Sequence, residues 1–208
     1  MPIQIRIIFP KRATSIQTYF HSQLTLEDSL VCMLWYNTPM SKPDLQSSFI
    51  FRGETITTDW YDAKDITELP DVTWQQVYVI GNVNGKVPVV HYKSDDKNLP
   101  GGQFDEPGDT IERVLDREMR EELNMRVISW HPIGYQYLSN DTFGNSYQLR
   151  VYAELEVIGD FVSDPGGGVV GHSLVSIDEL NSVINYGDIG ERIVNIVKKE
   201  FTSSYTLL

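Results

Sequence analysis

Between Leu99 and Asn124 the chain reads LPGGQFDEPGDTIERVLDREMREELN. At about 100° per residue, Ile111, Val114 and Leu115 fall on one face of a helix. Glu118 and Glu122 continue that face, with Glu121 at its edge. A stripe that begins with core-forming aliphatics therefore ends in carboxylates. Carboxylates carried toward a core without partners are costly, and a divalent cation removes the cost. Mg²⁺ and Mn²⁺ prefer oxygen ligands and commonly bind substrate phosphates. Pro100-Gly101-Gly102, just ahead of the helix, would bring bare backbone carbonyls close, since glycine permits close approach. The plainer reading is a solvated helix face laced with i,i+4 pairs such as Arg117 and Glu121. The glycine turn tips the balance toward a metal–diphosphate site.

These residues resemble the Nudix box, G-x5-E-x7-R-E-U-x-E-E-x-G-U with U aliphatic, at about Gly101–Met125. Arg117-Glu118-Met119-Arg120-Glu121-Glu122-Leu123 matches R-E-U-x-E-E-x without a gap, and Pro100-Gly101-Gly102 matches the common P-G-G lead. Asp109 stands eight residues before Arg117, in the place of the first Glu. The wider resemblance runs over residues 74–205. There are three departures: an Asp in place of the first Glu, one residue more between Gly102 and Asp109, and Asn124 in place of Gly. Asn is the next-best residue for a left-handed helix end.

The resemblance implies an α/β chain, a Nudix-like α/β/α sandwich with a mixed β-sheet. It implies a hydrolase that cleaves a diphosphate bond in a nucleoside diphosphate linked to another moiety, such as ADP-ribose or a nucleotide sugar. Mg²⁺ or Mn²⁺ would be held by Glu118, Glu121 and Glu122, with a carbonyl of Gly101 or Gly102 and with Asp109 at the position of the family's first acid. Arg117 would orient a neighbouring acid, Asp109 being the expected partner. The base in such enzymes is a box glutamate, here Glu121 or Glu122, or an acid on a later loop. The later loop offers Asp164, although Asp before Pro and Gly is ordinary turn chemistry. Asp141 is a similar loop residue. His172 reads as structural or exposed. Arg150 could reach phosphate, and a cross-strand ion pair explains it equally well. Tyr135, Tyr137, Phe143 and Tyr147 bracket one loop and could stack on a base or close over a ligand, though core packing is the better reading for all but the loop residue Phe143, while Trp60 and Tyr61 could reach a partner subunit.

These residues need elements to hold them. Ile3, Ile5 and Ile7 alternate as in a strand ending at Pro10, Thr25 and Asp28 resemble a helix start, and Leu30–Tyr36 is a buried run. Ser47–Phe51 and Glu54–Thr58 read as strands around Arg52-Gly53, and residues 65–73 as a linker. Gln76–Val83 and Lys86–Tyr92 flank Asn84-Gly85, the signal of a tight hairpin. A helix over 109–123 and strands near 126–138 and 147–158 follow, then a short strand over 173–177. Ser176 with Glu179, and Asp188 with Glu191, read as capping boxes opening two closing helices. The division expected is an α+β extension over 1–72 and a hydrolase domain over 73–208.

Composition narrows the partners. Of 208 residues, 17 are Lys or Arg and 29 are Asp or Glu, a net charge of −12. No dense basic patch is visible, which argues against nucleic acid and anionic membrane surfaces. An acidic protein handling a phosphorylated small molecule needs positive charge from elsewhere, and a metal supplies it. Cys32 is the single cysteine, so an intrachain disulfide and a Cys-based zinc site are excluded. A cytoplasmic location is expected, as is a small-molecule nucleoside diphosphate derivative as partner, and a homodimer is a further expectation. The alternative function is a catalytically weak Nudix-like module that senses or binds a nucleotide.

Overall fold

The computed structural model describes residues 42–166 and 168–204. The readings made at Ile3–Ile7, Thr25–Asp28 and Leu30–Tyr36 lie outside the described residues. In chain order come β1 (Leu45–Phe51), β2 (Glu54–Asp62), a 3-10 turn (Ile66–Glu68), β3 (Gln76–Asn82), β4 (Val87–Tyr92), β5 (Lys97–Asn98) and β6 (Gly101–Gln103). Then follow α1 (Ile111–Leu123), β7 (Met125–Asn140), β8 (Gly144–Val157), β9 (Val169–Val175), α2 (Leu180–Ile184) and α3 (Gly187–Ser204).

Six strands form one mixed sheet in the order β1-β2-β7-β8-β3-β6, and three form a second in the order β5-β4-β9. β3 runs parallel to β8, while its other neighbour, β6, is antiparallel. Strand alternation gives the large sheet two apolar faces. Val77, Val79, Leu149 and Val151 point to the side covered by α1, whose Val114, Leu115, Met119 and Leu123 are buried against them. Tyr78, Ile80 and Tyr152 point to the other side, where α3 packs Ile189, Ile193 and Val197. The result is the expected α/β/α sandwich. Full burial of an aliphatic side chain contributes roughly 1.5–3 kcal/mol before entropy is subtracted. The four buried apolar residues of α1 therefore fix which face it shows the cleft.

Several readings need correction. Asn84 and Gly85 do take the left-handed angles of a tight turn (φ 51 and 81), and Val83 and Lys86 exchange both backbone hydrogen bonds. Beyond that pair, however, β3 and β4 separate into different sheets. Every residue of β3 is buried; its edges are taken by β8 and β6, as befits a central strand. The second correction concerns Asp188, which sits inside the first turn of α3, not ahead of it. The Asn181 side chain holds the preceding turn, accepting from the Tyr186 N–H and donating to the Gly187 carbonyl. Ser176 and Glu179 do bond reciprocally, with Ser176 Oγ donating to Glu179 and accepting the Glu179 N–H, but α2 begins only at Leu180, with Glu179 at its N-cap and no side-chain cap bond. Trp60 is fully buried, with Nε1 donating to Asp62, and Tyr61 stacks on Tyr135. Both rings therefore belong to the protomer's own packing. No helix among the described residues is long and apolar enough to cross a membrane.

Both ends of α1 are chemically specified. Thr110, in extended conformation, accepts the Arg113 N–H at 3.3 Å. Asn124 is left-handed (φ 53, ψ 47), and its side chain donates to the Asp160 carbonyl at 2.8 Å. Asn124→Ala is expected to lose about 1–2 kcal/mol in urea unfolding, since it pays the left-handed penalty and gives up that bond. Asn124→Gly loses less, because glycine adopts the angle freely.

Candidate active site

β6 and α1 bring the two halves of the motif together. Gly101 lies opposite Tyr78 and Gly102 opposite Val77 on β3. Gly101 has φ +153, and a Cβ there would run into the Val77 carbonyl oxygen and the Tyr78 Cα. A Cβ on Gly102 would land on the Glu118 carboxylate. One glycine lets the backbone lie flat on β3, and the other leaves space for an acid.

The acids are individually held. Glu122 is only 6% exposed and accepts the Gly101 N–H at 2.9 Å. Arg117 donates from Nη1 to both oxygens of Asp109, at 3.1 and 3.3 Å, and from Nη2 to the Gln103 carbonyl at 2.9 Å. Its Nε reaches Glu118 at 3.4 Å, and Asp105 and Glu106 lie at 3.4 and 3.5 Å. Burial works to raise the Asp109 pKa, but the Glu106 N–H and the Arg117 guanidinium outweigh it and hold the carboxyl below its ordinary value. Glu118 goes the other way. Burial pushes it up, Arg117 opposes, nearby Glu121 adds to the rise, and the result is about 7.

These groups face a cleft of about 350 Å³. Asp105, Glu106, Glu118, Glu121, Glu122 and Asp164 line it, with Arg117 as the lone cationic side chain among the described lining residues. Among the described residues, no three His, Cys, Asp or Glu side chains already form a metal-holding cluster. Glu118 faces Arg117, and Glu122 faces the Gly101 N–H. The donor set still fits a hard divalent cation: it is entirely oxygen and strongly negative.

The other residues named from the sequence divide clearly. Asp109 is not part of the cleft wall; its side chain is 3% exposed and bound to Arg117 and to the Glu106 N–H. Asp164 lines the cleft, yet its oxygens accept the Gly166, Gly168 and Val169 N–H groups. Asp141 is exposed in the β7–β8 turn. His172 lies on β9 with its ring edge-on to Phe161. Tyr137 packs on Tyr147, and Phe143 on Phe51. Gln76 and Tyr78 also line the cleft and were not singled out from sequence. The one available signal was a polar residue opening the apolar run of β3.

The geometry gives two expected outcomes. Gly101→Ala meets backbone and should destabilise by roughly 1–3 kcal/mol; Gly102→Ala meets a side-chain end, so it should displace Glu118 and weaken Mn²⁺ binding at little cost in stability. Thermal melts and calorimetry separate the two. In EDTA, folded Glu118 titrates near 7, against 4.5 for its ordinary value. The folded state then binds more protons across that window, so stability falls as pH rises through it. Glu118→Gln should flatten that fall in urea melts run across the window.

No protein-family model matches the chain, and no curated protein matches it. Solved structures do. The pyrophosphohydrolase BsRppH of Bacillus subtilis aligns with a TM-score of 0.58 at 18% identity, covering 74% of this chain and 97% of that one. A Nudix hydrolase from Nitrosomonas europaea aligns with a TM-score of 0.50 at 17% identity, covering 62% and 90%. With the α/β/α layers and the glycine turn against α1 already in place, this likeness establishes the architecture: the chain has the Nudix hydrolase fold.

Proposed function

We propose that the protein is a metal-dependent hydrolase that cleaves the diphosphate bond of a nucleoside diphosphate linked to another moiety. The observation that carries the reading is the carboxylate-lined cleft in which Gly101 fixes Glu122 and Arg117 ties Glu118 to the preceding loop. Glu118, Glu121 and Glu122 would hold Mg²⁺ or Mn²⁺, with a Gly101 carbonyl beside them. The ion would supply Lewis acidity and charge neutralisation for a diphosphate. Arg117 positions Glu118 and anchors the loop, and Asp109 acts through Arg117. Glu121 or Glu122, both lining the cleft, would take the proton from water. Asp164, which lines the cleft, is a further candidate base.

ADP-ribose or a nucleotide sugar is the proposed substrate type, supported by the motif resemblance. The names of the two structural neighbours, a pyrophosphohydrolase and a Nudix hydrolase, are consistent with the reaction class. Residues 73–208 are proposed as the hydrolase domain and 1–72 as its extension, with β1 and β2 lengthening the same sheet. A cytoplasmic setting and a homodimer complete the proposal.

The test is product release from nucleoside diphosphate compounds with Mg²⁺, with Mn²⁺ and with EDTA. Turnover should require metal, and Glu122→Gln should lower it about 100-fold or more. Metal-independent turnover, or an unchanged rate in Glu122→Gln, would contradict the assignment. Metal-dependent nucleotide binding without turnover would identify a sensing module.

A further inference from the structure

On the face of the large sheet covered by α3 there is a chamber of about 210 Å³. Thr58, Gln136, Gln148 and Arg150 contribute to its polar wall, and Tyr186 and Ile189 line it as well. Arg150 is 2% exposed. Its Nη1 donates to the Leu149 carbonyl at 3.2 Å and its Nη2 to Gln148 Oε1 at 3.1 Å. The guanidinium lies 4.4 Å from the centre of the Tyr78 ring and 5.9 Å from that of Tyr186. Among the described residues no carboxylate pairs with it, so the cross-strand ion pair expected as one explanation is not what holds it. Among the described residues its Nε has no partner, and neither do Thr58 Oγ1 and Gln136 Oε1.

Three polar atoms from side chains at least nine-tenths buried are thus left unsatisfied around one small space. Buried polar groups are almost always paired, and a buried cation without a counter-charge is strongly disfavoured. Burial accordingly holds the Arg150 pKa below its ordinary value. The chamber also adjoins the cleft. Gln76 and Tyr78, which line the cleft, sit opposite Gln148 and Arg150 across the parallel β3–β8 pair. Gln148 Nε2 donates to Gln76 Oε1 at 2.7 Å. Neighbouring strands are about 4.8 Å apart, so the residues that line the two spaces meet along this strand pair.

We propose that the chamber binds an oxyanion, a carboxylate or phosphate, on Arg150, and that this is a second acidic group of the substrate whose diphosphate occupies the cleft. The substrate part of this inference rests on the hydrolase reading; the oxyanion site itself does not. The Thr58 hydroxyl can rotate to donate. The Gln136 amide can present its NH₂, since amide orientation follows the hydrogen-bond network. A free oxyanion such as inorganic phosphate has the same chemistry and is the other source.

The experiment compares matched compounds that differ by one acidic group: UDP-glucuronate against UDP-glucose, and NADP⁺ against NAD⁺. In at least one pair the acidic member should have a kcat/KM roughly tenfold higher, the scale of hydrogen bonds to a charged group. Arg150→Met should bring that ratio to near unity. Arg150→Met should also melt higher than wild type without ligand, because it removes an uncompensated buried charge. Thr58→Val, which keeps the volume, should reduce the same ratio and provides the reading if Arg150→Met does not fold. In parallel, inorganic phosphate in EDTA should raise the Tm of wild type but not of Arg150→Met.

A phosphate effect on Arg150 without any preference between matched substrates assigns the site to a free oxyanion. A phosphate effect in a protein that turns nothing over leaves the oxyanion site standing while the hydrolase reading fails. Absence of both the preference and the phosphate effect overturns the proposal. A preference set by the base and indifferent to the acid, lost in Arg150→Met, also overturns it.

Discussion

The arrangement of the cleft depends on one guanidinium. Arg117 projects from the middle of α1 and bonds to the Gln103 carbonyl on β6, to Asp109 in the loop and to Glu118 on its own helix. The loop between β6 and α1 is rich in Asp, Gly and Pro and has few side chains to bury. Arg117 supplies the attachment that hydrophobic packing does not. Because its charge is shared among several acids, it does not neutralise the cleft. Without it, the loop carrying Asp109 would lose its tie to α1. Hydrogen bonds to a charged group are worth more than neutral ones, which suits a single residue to organising a polar loop.

The sheet gives this attachment a rigid base. β3 is buried along its whole length and binds β6 on one edge and β8 on the other. The glycine turn is therefore fixed to the most enclosed strand of the fold, and Glu122 is fixed to the turn. On the opposite face, the alternation that sends Leu149 and Val151 toward α1 sends Gln148 and Arg150 toward α3. Polar side chains at those positions give up apolar packing in the middle of a sheet. The row Gln76–Gln148–Arg150 links them by hydrogen bonds, so part of that loss is recovered. What is not recovered is concentrated at Arg150 Nε, Gln136 and Thr58.

What was legible in the sequence was local. The helix, its Asn124 stop and the Ser176–Glu179 pair are set by residues within a few positions of one another, so spacing alone reveals them. The meeting of Arg117 with Asp109 was legible as an expectation because the motif resemblance fixed their separation. The parting of β3 from β4 after a well-formed Asn84-Gly85 turn was not, since it depends on β8, some 70 residues away, taking the edge of β3. The burial of Trp60 and Tyr61 depends equally on distant strands. Arg150 was ambiguous between an ion pair and a ligand contact. Only the cross-strand register shows that its neighbours are neutral.

The central claim is that Glu118, Glu121 and Glu122 hold a divalent cation beside the glycine turn. The most direct measurement is an anomalous difference map from crystals of the protein grown with Mn²⁺. The account predicts a peak bounded by those three carboxylates and near the Gly101 carbonyl. A map with no peak there, while Arg117 remains on Glu118 and Glu122 on the Gly101 N–H, would contradict it.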